Sequence, residues 1–242
     1  LLAVAACGPS EPPLTQGDLS GERQATQFQD LLEAHAIPLA LPRGRAILIN
    51  IPSFELIAFE DGVPVLRSRV IVGKPDTQTP RIDTYTSAVL FWPSWRPTPE
   101  MIASGEVPDR TFLPGPENPM GVLAISLEPG LDVYIHDTNQ RHLFDEKRRT
   151  FSHGCIRVER WEALAAWLTN RDEDWVRSMA TGPSTLRASI PRVPVLIRYY
   201  RDFPSIDGTV KSYPDVYDLA GTGAELQLSA KNGPASCSPA PD

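Results

Sequence analysis

Apolar and polar residues change their rhythm several times along this 242-residue chain. Ala25, Phe28, Leu31, Leu32 and His35 recur at helical spacing behind Ser20, a candidate cap, and predict a helix over 21–36 that Pro38 and Pro42 end. The rhythm then shortens. Ala46 to Ile51, Phe54 to Phe59 and Val63 to Val72 read as strands, with Pro52-Ser53 and Asp61-Gly62 as turns. Asp-Gly between apolar runs is a strong hairpin signal. Strands resume at Val122 to Leu127 and Asp132 to Ile135. Trp161, Leu164, Ala165 and Leu168 form an amphipathic stripe, and Asp172 to Ala180 predicts a second, shorter helix. Val195 to Tyr200 and Thr209 to Tyr213 flank Asp207-Gly208 as a final hairpin candidate. The fold expected is mainly β with peripheral helices.

Residues 92–120 break the pattern. Prolines stand at 93, 97, 99, 108, 114, 116 and 119, with Trp92 and Trp95 among them. A loop this long is usually a lid or a binding loop. Met101 to Gly105 predicts one helical turn inside it. From about 221 the composition loosens into Gly, Ser, Ala and Pro, which reads as a flexible tail.

Composition narrows the classes. The net charge is −7, so no chain-wide basic balance favours nucleic acid. Gly and Pro are 41 of 242 residues, below the range of disordered chains. The three cysteines are an odd number and argue against a disulfide framework. Leu1-Leu2-Ala3-Val4-Ala5-Ala6-Cys7 looks like the end of a bacterial lipoprotein signal, with Cys7 as the lipidation site. Gly8 follows, which favours the outer membrane, and Pro9 to Pro13 resembles a short tether. The expected location is the periplasm, with membrane contact through the lipid. After this segment no run approaches the roughly 18 apolar residues of a membrane span.

The candidate chemistry lies between 134 and 158. Tyr134-Ile135-His136-Asp137-Thr138 precedes Phe151-Ser152-His153-Gly154-Cys155-Ile156-Arg157-Val158. A thiol near pKa 8.5 becomes a good nucleophile beside an imidazole or positive charge. His153 and Cys155, two apart on an extended segment, would face one side, with Arg157 adding charge there. Gly154 allows close backbone approach, and N–H groups around it suit an oxyanion. A metal set of His136, His142, His153 and Cys155 matches no zinc spacing. Arg141, Lys147, Arg148 and Arg149 read either as a solvated face or as an attractant for an anionic substrate.

These motifs resemble the signature of L,D-transpeptidases with the YkuD-type catalytic domain, nearest its large periplasmic branch. Ile47 to Pro52 with Phe54-Glu55-Leu56, Arg69 to Pro75 with Thr79-Pro80, Pro93-Ser94-Trp95 through Pro99 and Ile102, and Asn118-Pro119-Met120-Gly121 agree in order. The resemblance implies a YkuD-like β-sandwich catalytic domain over 45–218, with 92–120 as a Pro-rich capping loop. Outside it lie a signal remnant and tether (1–20), a helical segment (21–44) and a tail (219–242), without the branch's N-terminal accessory modules. It implies Cys155 as nucleophile and His136 as general base. It places His153, Gly154 and Ser152 at the oxyanion pocket and Arg157, Trp95 and Tyr134 at the substrate.

The implied reaction is attack on a peptidoglycan tetrapeptide stem, release of terminal D-Ala and a 3→3 crosslink, with no metal or organic cofactor. Alternatives on the same site are L,D-carboxypeptidase action and attachment or release of a wall-anchored envelope protein. A non-catalytic wall-binding lipoprotein is a further alternative. Cys237 has no counterpart. A disulfide between it and Cys155 would silence the nucleophile, so none is expected in active enzyme.

Overall fold

The computed structural model describes residues 27–128, 131–182, 184–225 and 227–229. The tether and Cys7 lie outside these residues, as do Cys237 and the end of the tail. The predicted first helix appears as α1 (27–34). Strands β1 (Arg45–Asn50), β2 (Glu55–Glu60) and β3 (Val63–Gly73) form the expected meander. Asp61 and Gly62 take φ of 47° and 83°, the left-handed pair that a two-residue hairpin requires. Then come β4 (Asp83–Phe91), α2 (Pro99–Ala103), β5 (Leu123–Leu127), β6 (Tyr134–His136) and a 3₁₀ turn (Arg141–Asp145). The chain continues through β7 (Thr150–Ser152), β8 (Ile156–Val158), α3 (Trp161–Thr169), α4 (Glu173–Met179), β9 (Leu186–Ser189), β10 (Pro194–Arg198), β11 (Asp202–Pro204) and β12 (Val210–Ser212).

The main sheet closes on itself. Its order is β10-β1-β2-β3-β8-β6-β5-β4-β9, with β7 on β3, and β10 also pairs with β4. Both faces of the first strands are covered. Ile47, Ile49 and Leu56 join the interior cluster with Val89, Ile125, Ile135 and Ile156, to which α3 adds Leu164, Ala165 and Leu168. Leu48, Ile57 and Phe59 point the other way, into a second cluster with Phe28 and Leu32 of α1 and Phe203. This explains why β1 is an unbroken apolar run where a half-exposed strand would alternate. α4 is capped by Asp172, whose carboxylate accepts the Trp175 N–H at 2.7 Å.

The final hairpin differs from expectation. β12 pairs with β11, and β10 lies parallel to β1 with Ile47 opposite Val195. Val195, Leu196 and Ile197 are buried on both faces, so β10 belongs inside the sheet rather than in an exposed ribbon. The tail is also anchored as far as residue 229: Arg81 Nε donates to the Gln227 carbonyl at 3.0 Å, and Ser229 Oγ accepts the Arg81 N–H.

Candidate active site

β6 and β8 are parallel neighbours, with Ile135 opposite Ile156 and His136 opposite Arg157. This pairing brings together two motifs far apart in the chain. Residues in register on adjacent strands project to the same side, so His136, Arg157 and the Cys155 that leads into β8 share one face. The Tyr134 N–H points at Cys155 Sγ, 3.2 Å away. His136, His153, Cys155 and Arg157 all line one cavity of about 380 Å³, with Ser152, Gln140 and Lys74.

The residues before Cys155 are a bend rather than the extended segment expected from sequence. Gly154 takes φ of 110°, a region that L side chains rarely adopt. His153 therefore reaches the cavity through a kink, not through strand alternation with Cys155. Ser152 holds this kink. Its hydroxyl donates to the Cys155 carbonyl at 2.5 Å and accepts the Gly154 N–H at 3.1 Å. The Gly154 N–H is thus already engaged within the turn. Thr79 braces the same turn from outside, accepting the Gly73 N–H and donating to the Gly154 carbonyl, both at 2.9 Å.

His136 is 5% exposed. Its Nδ1 lies 2.5 Å from the Asp137 carbonyl, an acceptor only, so in the neutral ring Nδ1 carries the proton and Nε2 is the basic nitrogen. Burial, then the positive charge of Arg157, push its pKa down to about 3, against the favourable carbonyls of Asp137 and Met120. The ring is neutral at physiological pH. Arg157 donates to Gln140 Oε1 at 2.8 Å. Its Nε is buried without a hydrogen-bond partner, and no carboxylate pairs with it among the described residues. Burial pushes this guanidinium down to about 10, still charged at neutral pH. Cys155 is disulfide-bonded in this structure. A disulfide sulfur is not a nucleophile, so this oxidised form is not the active one.

The segment 92–120 roofs the cavity. Trp95 lines it and packs at a tilt of 41° against Phe112 with ring centroids 5.3 Å apart, beside Met101, Glu106, Val107, Pro108 and Met120. Asn118, fully buried, donates to the Pro93 carbonyl at 2.6 Å and accepts the Met120 N–H at 2.9 Å. Gly121 follows with φ of 64°, and a Cβ there would lie 2.2 Å from Asp137 Oδ2. The predicted helical turn appears as α2, capped by Thr98.

Tyr134 stands just outside the lining of this cavity and packs against the cluster of Trp95, Met101, Met120 and Cys155. His142 is exposed on the 3₁₀ turn and away from the others. Among the described residues no group of three or more His, Cys, Asp or Glu is placed to hold a metal. The basic stretch is largely structural. Arg141 pairs with Asp137 at 2.7 Å, Arg148 donates to the Val216 carbonyl, and Arg149 to the carbonyls of Val70 and Phe54. Lys74, Glu106 and Gln140 were not singled out from sequence. They sit on loops whose approach to the cavity no local pattern encodes.

The architecture is that of a closed β-rich domain carrying a capped Cys–His cleft. Residues 44–197 match the YkuD family, the L,D-transpeptidase catalytic domain. The chain belongs to this family. It is also 26% identical over 232 residues to the "Putative L,D-transpeptidase" of Haemophilus influenzae, a match covering 77% of this chain and 46% of that protein. The chain thus spans less than half the length of that curated relative. Among solved structures, it is similar to an L,D-transpeptidase from Mycobacterium smegmatis, at 17% identity and a TM-score of 0.42, covering 64% of this chain and 58% of that one. It is similar too to the catalytic domain of an E. faecium L,D-transpeptidase, at 16% identity and a TM-score of 0.40, covering 65% and 99%.

Proposed function

We propose that this protein forms 3→3 peptidoglycan crosslinks through an acyl-enzyme on Cys155. The observation that carries this reading is the shared placement of Cys155, His136 and Arg157, which meets no carboxylate among the described residues, on one capped cavity. Once the disulfide is reduced, His136 Nε2 takes the thiol proton. The resulting imidazolium is stabilised by the Asp137 and Met120 carbonyls. Arg157 stabilises the thiolate and receives the terminal D-Ala carboxylate of the donor stem. That pairing offsets the charge that lowers the His136 pKa, so the base strengthens when the donor is bound. The thiolate attacks the carbonyl of the third stem residue. Backbone N–H groups of His153 and Cys155 receive the oxyanion, and D-Ala leaves with the His136 proton. An amine from a second stem then takes the acyl group.

The test is mass spectrometry of muropeptides after incubation of reduced enzyme with purified tetrapeptide stems. Release of D-Ala and crosslinked product are expected from the native enzyme and neither from Cys155→Ala. A carbapenem should add one mass equivalent to Cys155 under reducing conditions and none to the variant. Product formed by Cys155→Ala would refute the mechanism.

A further inference from the structure

The capping segment brings one acid into a cavity whose other charged groups are cationic. Glu106, just past α2, lines the cavity with Lys74, His153 and Arg157. Its Oε2 accepts from Lys74 Nζ at 2.8 Å and lies 2.9 Å from His153 Nε2. The Lys74 hydrogen bond above all holds its carboxyl below the usual range, so it is ionised at neutral pH. Both contacts use Oε2, and Oε1 has no hydrogen-bond partner among the described residues. Glu106 is half exposed, whereas Cys155 is 1% exposed. The carboxylate is therefore the more solvent-accessible of the two groups on this shared cavity.

We propose that Glu106 docks the ammonium group of the acyl acceptor and thereby sets the choice between aminolysis and hydrolysis. This rests on the transpeptidase reading above and goes beyond it by assigning the acceptor's contact. An aliphatic amine arrives protonated at neutral pH. Arg157 and Lys74 repel it, and a counter-charge must offset that repulsion before the amine reaches the thioester. Oε1 of Glu106 supplies a charge-assisted acceptor there. Water needs no such charge. After D-Ala has left, His136 is again neutral. Of the three N–H protons of the docked ammonium, one is released to solvent and one passes through His136 to the departing Cys155 sulfur. The third stays on the new amide. The nitrogen–carbon bond forms as the carbon–sulfur bond breaks.

The competing explanation is mechanical: Glu106 merely latches the cap to Lys74 and His153. Two variants separate the explanations. Glu106→Gln keeps an oxygen for Lys74 but loses the charge. Lys74→Met breaks the ion pair but keeps the carboxylate. Reduced full-length enzyme is given a tetrapeptide donor with either a diamino acid or hydroxylamine, which is uncharged at pH 7, as acceptor. Products are quantified by mass spectrometry. For Glu106→Gln, the acceptor KM for the diamino acid should rise about ten-fold, the loss of one charged hydrogen bond, and hydrolysis should gain by a similar factor. Transfer to hydroxylamine should fall far less. Lys74→Met should keep its preference for the charged acceptor. Equal losses for both acceptors, or equal behaviour of the two variants, would overturn the proposal in favour of a latch. D-Ala release with unchanged partition in Glu106→Gln would overturn it alone. Absence of D-Ala release from the native enzyme would overturn the transpeptidase reading and this proposal with it.

Discussion

Acid should destabilise this protein through His136. The buried ring has its pKa pushed from 6.5 down to about 3. Between these values the unfolded chain binds a proton at this position and the native protein does not. The stability gained by keeping the ring neutral is fully present above pH 6.5, and it is lost as pH falls toward 3. One proton corresponds to 1.36 kcal/mol per pH unit, so descending from 6.5 to pH 4 costs about 3 kcal/mol. That is a large share of a typical total of about 5–15 kcal/mol.

Asp137 works in the opposite sense. Burial raises its pKa, so its native form holds a proton more tightly and gains stability as pH falls. The His136 contribution is therefore isolated by comparison with His136→Gln, which is neutral at every pH. Urea denaturation of reduced protein at pH 7, 5.5 and 4 should show native stability falling relative to the variant by about 3 kcal/mol across the range. Parallel curves, within about 0.5 kcal/mol, would refute the reasoning and return the ring to an ordinary histidine.

Two further outcomes test the surroundings of this base. Arg157→Gln removes a charge that holds the ring neutral, so the His136 pKa should rise above about 3 in an NMR titration. Acylation by tetrapeptide donor should fall about 100-fold as the donor's carboxylate loses its partner. Gly121→Ala forces a side chain onto the Asp137 carboxylate at a positive φ. It should cost at least about 2 kcal/mol in urea denaturation, and an unchanged midpoint would show that the cap does not depend on this turn.

What local pattern encodes was legible without coordinates. The β1–β3 meander, the Asp61-Gly62 hairpin and the α3 stripe follow from apolar spacing and turn chemistry, which act over a few residues. Cys155 and His136 stood out because their motifs are compact and chemically uncommon. Other features needed the third dimension. β10 contains apolar residues that fit a hairpin as well as a central strand, and only the burial of both its faces decides between them. The spacing of His153 and Cys155 suggested a strand, whereas the Ser152 hydroxyl and the positive φ of Gly154 make a kink.

Sequence determined that this is a β-rich chain with a cysteine motif, an upstream histidine and a proline-rich insertion. Tertiary structure decided which charges share the cavity. Glu106 meets Lys74 and His153 because the insertion folds back over β8, a contact joining residues 32 and 47 positions apart. The low pKa of His136 likewise comes from burial and from Arg157 on a neighbouring strand. Neither is visible along the chain, because desolvation and Coulomb energy depend on distance in space rather than separation in sequence.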